Sequence, residues 1–224
     1  MKSAVVASLL LCACSNTPII QKNGNVIPQK DYQLSNIAKS SLDTVAEFHQ
    51  QAAIKHLHDL AEKLYKRNPR ELRKSGLDLT TRLNQLFAQA TTQQSSQTID
   101  ILMKAFQTDY ADDRVYAYMQ GLIGIVMSSY NYQTEFYAFD QLDAQKIYNS
   151  ARNIEVAAWK LNSSKDANGM PYLIANTPDN LSFERELGKL IADQDTLAFI
   201  VADRTNRSIN WLAQTAGRMV FLPF

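Results

Sequence analysis

Apolar residues recur every three or four positions along most of this chain, the spacing that gathers them on one face of a helix. Ala38, Leu42, Val45, Ala52, Leu57, Leu60 and Leu64 trace such a face and predict one long amphipathic helix over 35–67. Asn68-Pro69-Arg70-Glu71 then offers an N-cap, a proline at the first helical position and a carboxylate at the third. The chain should therefore turn and start a short second helix, with Gly76 capping its end. Further helices are expected at 78–90 and 98–107. Asp109, Asp112 and Asp113 crowd the start of the next, 111–130, where carboxylates suit unpaired backbone N–H groups and the helix dipole. Its stretch VYAYMQGLIGIVM is apolar on nearly every side and predicts the buried centre, with Gly121 and Gly124 on one face to admit a close neighbour. Ile147, Ala151, Ile154, Ala158 and Leu161 mark a helix over 141–162. After a loop at 163–178, Phe183, Leu187, Leu190, Ile191, Gln194, Leu197, Ala198 and Val201 mark the last long helix, 181–204 or beyond.

The expected fold is all-α, a single multi-helix domain over 34–224 around a buried central helix. Its core should combine residues 115–127 with the inner faces of 147–161 and 183–201. Composition supports this. Gly and Pro together supply 13 of the 224 residues, and 29–68, 77–120, 125–168 and 189–216 contain neither. An all-β domain would need a turn about every 8–12 residues, and a Gly-rich phosphate loop has no room. Residues 115–134 carry no formal charge, but Gln120 and SSYNYQT at 128–134 dilute the apolar run below the roughly 20 residues of a bilayer span.

The start of the chain has a different pattern. Residues 1–13 place a single charge, Lys2, before the apolar run Ala4–Ala13, the order of a secretory signal peptide and too short to cross a bilayer. Leu11-Cys12-Ala13-Cys14 resembles a bacterial lipobox, whose final cysteine is acylated. Cys14 fits that role, whereas Cys12 would have the bulky Leu11 directly before it. The resemblance implies a mature chain starting at Cys14 with three acyl chains, and residues 14–33 read as the lipidated cysteine and a flexible tether. One acyl chain gives marginal membrane binding and three should hold firmly. Ser15 favours a lipid anchor on the periplasm-facing side of an outer membrane. Cys12 and Cys14 are the only cysteines, so the body has neither a disulfide framework nor a thiolate metal site. Losing Lys2 leaves 22 basic and 22 acidic residues, which gives nucleic acid no basic field to bind.

Chemistry-bearing residues are sparse. In SSYNYQTEFYAF, Tyr130, Tyr132, Glu135 and Tyr137 crowd the end of the central helix, as a ligand or partner groove or as a packed corner. Arg152 and Glu155, at i and i+3, complete the candidate binding cluster. His49 and His56 share a helix face but are seven residues apart, not the i, i+4 of helical zinc ligands, so no metal site is expected. No cofactor and no catalytic residue is expected either. Lys63, Lys66, Arg67, Arg70, Arg73 and Lys74 put six cations within twelve residues. They suit anionic headgroups or an acidic partner, or else simply complement a helix C-terminus. Asp203 and Arg207 have the i, i+4 spacing of a stabilising pair, and the closing VFLPF should pack on the body.

Taken together, KLYKRNPREL (63–72), SYNYQTEFYAFDQLDAQKIYNSARNIEVAAWKL (129–161), NLSFERELGKLIA (180–192) and ADRTNR (202–207) resemble a group of proteobacterial membrane-anchored lipoproteins without an assigned activity. The resemblance implies export, lipidation and a helical body, and transfers no catalytic residue. The reading that follows is a lipid-anchored envelope protein acting as a binding or assembly accessory, with an envelope protein as its partner. A periplasmic enzyme using Glu135, Arg152 and Glu155, and a helical carrier of an apolar ligand, stand as alternatives.

Overall fold

The computed structural model describes residues 41–90, 97–137, 142–177, 179–205, 209 and 220–223. The signal segment 1–13, Cys14, the tether to residue 33, Ala38 and Arg207 lie outside these. Among the described residues the fold is all-α, with seven helices: α1 Ser41–Arg67, α2 Pro69–Ser75, α3 Leu79–Ala90, α4 Thr98–Lys104, α5 Arg114–Ser129, α6 Ala144–Ser163 and α7 Ser182–Thr205. Each matches a predicted helix to within three residues at either end, except that residues 35–40 of the first predicted helix lie outside the described residues. No described helix is long and apolar enough to cross a membrane.

α5 is the centre, packed by α1, α3, α4 and α6. Val115, Tyr118, Met119, Leu122, Ile123, Ile125 and Val126 are fully buried, as expected of a helix apolar on every side. The two glycines of α5 explain how closely α4 can lie. A Cβ on Gly121 would come within 2.8 Å of the Leu102 backbone, and one on Gly124 within 2.7 Å of Thr98 Cγ2. α7 runs antiparallel to α1 and also packs on α6.

The helix ends follow local chemistry, with one exception. Asp113 caps α5 by accepting from Tyr116 N at 2.9 Å, and Asp143 caps α6 by accepting from Gln145 N at 2.8 Å. Gly76, in the left-handed region at φ 68°, ends α2 as glycine does most easily. The exception is the start of α2. Asn68 makes no side-chain cap and Glu71 does not reach back to it. Both side chains have stronger demands elsewhere. Asn68 pairs with the Ile174 backbone, donating to its oxygen and accepting from its N–H at 2.9 Å each, while Glu71 accepts from Arg114 N at 2.9 Å.

α1 departs from expectation in its first half. The buried stripe there is Asp43, Ala46, Glu47, Gln50 and Ala53, one position away from the Leu42, Val45 and Ala52 expected to be innermost. Two of the three buried polar residues there hold backbone. Glu47 Oε1 accepts from Phe136 N at 3.2 Å and Gln50 Nε2 donates to Gln133 O at 2.6 Å.

Candidate functional site

The end of α5 turns sharply. Asn131 N donates to Ser128 O at 3.0 Å and Tyr132 N to Met127 O at 2.9 Å, a Schellman closure with Asn131 left-handed at φ 52°. Tyr132 is also left-handed, at φ 56°, which is unusual for a bulky residue. Its ring compensates by packing on the core, with the hydroxyl 3.5 Å from Gly124 O.

The six residues of the candidate cluster separate into distinct settings. Tyr130 is fully buried and accepts from Gln194 Nε2 at 2.9 Å, and burial pushes its hydroxyl above the ordinary tyrosine range. It joins α5 to α7 and presents no surface to a partner. Glu135 is exposed and accepts from Tyr137 Oη at 2.7 Å. Arg152 pairs with Glu155 at 3.0 Å and with Asp195 at 2.6 Å, locking α6 to α7. Burial raises the pKa of both carboxyls, with Arg152 opposing the rise. The structure therefore brings Arg152 and Glu155 together, but adds Asp195 to them instead of Glu135.

Sequence reasoning missed the reason for this arrangement. Three consecutive α7 residues each reach a different helix. Asp193 Oδ1 lies 2.7 Å from His49 Nδ1 on α1, Gln194 bonds Tyr130 and Ser129 at the end of α5, and Asp195 takes Arg152 of α6. Two turns toward the start of α7, Glu186 lies 2.6 Å from His56 Nδ1 and is flanked by Lys63 and Lys189. An ionised carboxylate only accepts, so each histidine presents its Nδ1 proton. The seven-residue spacing of His49 and His56 matches that of Asp193 and Glu186, and the signal available in the sequence was Gln194, a polar side chain on the inward stripe of the last helix.

His58, Asp59 and Glu62 bring potential metal-ligand atoms within 4.8 Å of one another on the exposed side of α1. Lysines already occupy this ground, with Lys55 3.4 Å from Asp59 and Lys66 2.5 Å from Glu62.

Among the described residues, the basic run lines a concavity. A cleft of about 430 Å³ opens between the α1–α2 corner and loop 166–174, lined by Arg67, Arg70, Arg73, Asp166, Met170 and Tyr172 among others. Its walls are firmly held. Asn68 fixes Ile174 through the two backbone bonds above. Tyr172 lies under the Arg114 guanidinium at 4.6 Å, with its hydroxyl 3.1 Å from Thr108 Oγ1. Asp166 Oδ1 accepts from Asn168 N and Met170 N at 2.9 Å each, which shapes the turn.

Among the described residues, an all-α domain of seven helices with polar ties between its layers and an arginine-lined cleft is thus the class this chain defines. No family model, no curated protein and no solved structure matches it.

Proposed function

We propose that this chain is a lipid-anchored cell-envelope protein, held by acylated Cys14 and working as a non-catalytic binding or assembly accessory. What supports a binding role is the way the charged side chains are used. Arg152 and Glu155, the heart of the enzyme alternative, are committed with Asp195 to joining two helices, and Glu135 bonds Tyr137 instead. The anchor rests on Leu11-Cys12-Ala13-Cys14 and on the apolar run before it. The tether reading would let the body stand off the membrane by up to about 60 Å if residues 15–33 were extended. On this reading the protein faces the periplasm from an outer membrane, and a partner meets exposed features such as Glu135 and the half-buried Tyr137, not Tyr130.

Metabolic labelling with a fatty acid tests the anchor. Wild-type chain should incorporate label and fractionate with membranes, and Cys14→Ser should lose the label and stay unprocessed. Undiminished labelling of Cys14→Ser would refute the assignment.

A further inference from the structure

We infer that the cleft at the α1–α2 corner grips the phosphate of an anionic phospholipid headgroup, with the apolar side chains on its rim entering the interfacial region. The cations there are available. Arg73 is exposed and has no ion pair among the described residues, and Arg70, with its side chain 74% exposed, meets only Glu71 Oε1 at 3.4 Å. Arg67 is held through a single nitrogen. Its Nη2 donates to Asn180 Oδ1 at 3.0 Å and Ser182 Oγ at 2.8 Å, both neutral acceptors. Its charge therefore stays unmatched while the guanidinium is fixed in place. Glu71 removes little of this charge because Lys74, 2.7 Å away, already balances it.

A guanidinium offers a planar fork of N–H donors suited to phosphate oxygens, and three of them spaced along one corner suit a phosphodiester better than a lone carboxylate. The rim distinguishes a lipid from free phosphate. Met170, Ile174 and Leu181 are 62%, 44% and 50% exposed, large apolar residues left in water directly beside the arginines. Met170 and Ile174 line the cleft itself, and Leu181 sits between the Asn180 and Ser182 that hold Arg67. Apolar groups interleaved with cations form a surface for a headgroup layer, where one set meets phosphate and the other meets acyl chain. The walls are preorganised, so little ordering is needed on binding.

This inference does not depend on the anchor, because its test uses the chain from Ser15 onward, which carries neither Cys14 nor the apolar run before it. Flotation with phosphatidylcholine vesicles, with and without phosphatidylglycerol, reads the cleft directly. Binding should be stronger to the anionic vesicles and should weaken as salt is raised. Arg70→Gln with Arg73→Gln should reduce the phosphatidylglycerol-dependent affinity about twenty-five-fold, roughly fivefold for each cation lost near such a surface. Met170→Ser with Ile174→Ser should weaken it severalfold while leaving the salt dependence intact. Both arginines are exposed and should leave the thermal melt unchanged. Undiminished anionic-vesicle binding by the arginine variant would overturn the inference. So would complete competition by inorganic phosphate together with an inert apolar variant, which would mark a soluble-anion site. Arginine-dependent capture of a Glu-rich peptide without vesicle binding would overturn it in favour of an acidic protein partner.

Discussion

Gly121 and Gly188 look alike in sequence, since each interrupts a helical stretch, but their surroundings differ. A side-chain carbon on Gly121 would run into Leu102, whereas one on Gly188 would meet nothing within 4 Å. Gly121→Ala should therefore force α4 away from α5 and destabilise the fold by about 1–3 kcal/mol. Gly188→Ala should stabilise it by about 0.5–1 kcal/mol, because α7 gains a better helix former at no steric cost. Urea denaturation of the two variants should move their midpoints in opposite directions. The close-packing role of Gly121 was readable from its place on an apolar helix beside Gly124. The absence of neighbours around Gly188 was not, because it depends on which side of α7 meets α1 and α6.

At the scale of elements, the α1–α7 seam is tuned by its carboxylates. Burial works against the charge of Glu186, but hydrogen bonds from His56 and Lys189 and the nearby charge of Lys63 outweigh it and hold the carboxyl below its usual value. A carboxyl lowered on folding contributes stability that is complete above its unfolded pKa and disappears as pH falls through the folded one. Glu186→Gln should thus cost about 1 kcal/mol near neutral pH, with the difference fading in acid below the ordinary carboxylate range. Chemical denaturation at the two pH values checks this. Glu155 and Asp195 act in the opposite sense. Raised by burial, they favour the folded state more as pH drops from neutral toward the ordinary carboxylate range, and that gain is lost as pH rises through their folded values. The helices themselves were legible because a 3.6-residue period survives in the order of residues. Their polar partners were not. His49 and Asp193 are 144 residues apart, and no local spacing announces that they meet. Asn68 shows the converse, since its local signal for a helix cap was strong and a tertiary bond to Ile174 overrode it.

Across the whole molecule, the last described segment behaves like part of the body. Asn153, fully buried on α6, donates to Leu222 O at 2.9 Å and accepts from Leu222 N at 2.6 Å. One turn away, Asn149 donates to Pro223 O at 2.8 Å. Two asparagines at i and i+4 thereby hold the backbone of Leu222 and Pro223 against a helix, which supplies the polar part of the packing expected of VFLPF. Asn153→Ala should release residues 220–223 and cost about 1 kcal/mol, since it leaves the half-buried N–H and C=O of Leu222 without their side-chain partner. Hydrogen exchange should quicken at Leu222 and remain slow in α5. The candidate cluster was less legible than the fold for a related reason. Tyr130, Tyr132, Glu135 and Tyr137 are near one another in sequence, but a two-residue left-handed turn sends them into different environments.

The run Asp193-Gln194-Asp195 also bears on which changes in length this chain can survive. Each added residue rotates the rest of a helix by about 100°. A single insertion just ahead of Asp193 would swing all three side chains off His49, Tyr130 and Arg152 together, with no neighbouring residue ready to replace them. An insertion of the same size between Ser164 and Thr177, outside any helix, would leave those three contacts where they are. Natural length variation in relatives of this chain should therefore accumulate in the second place and be excluded from the first.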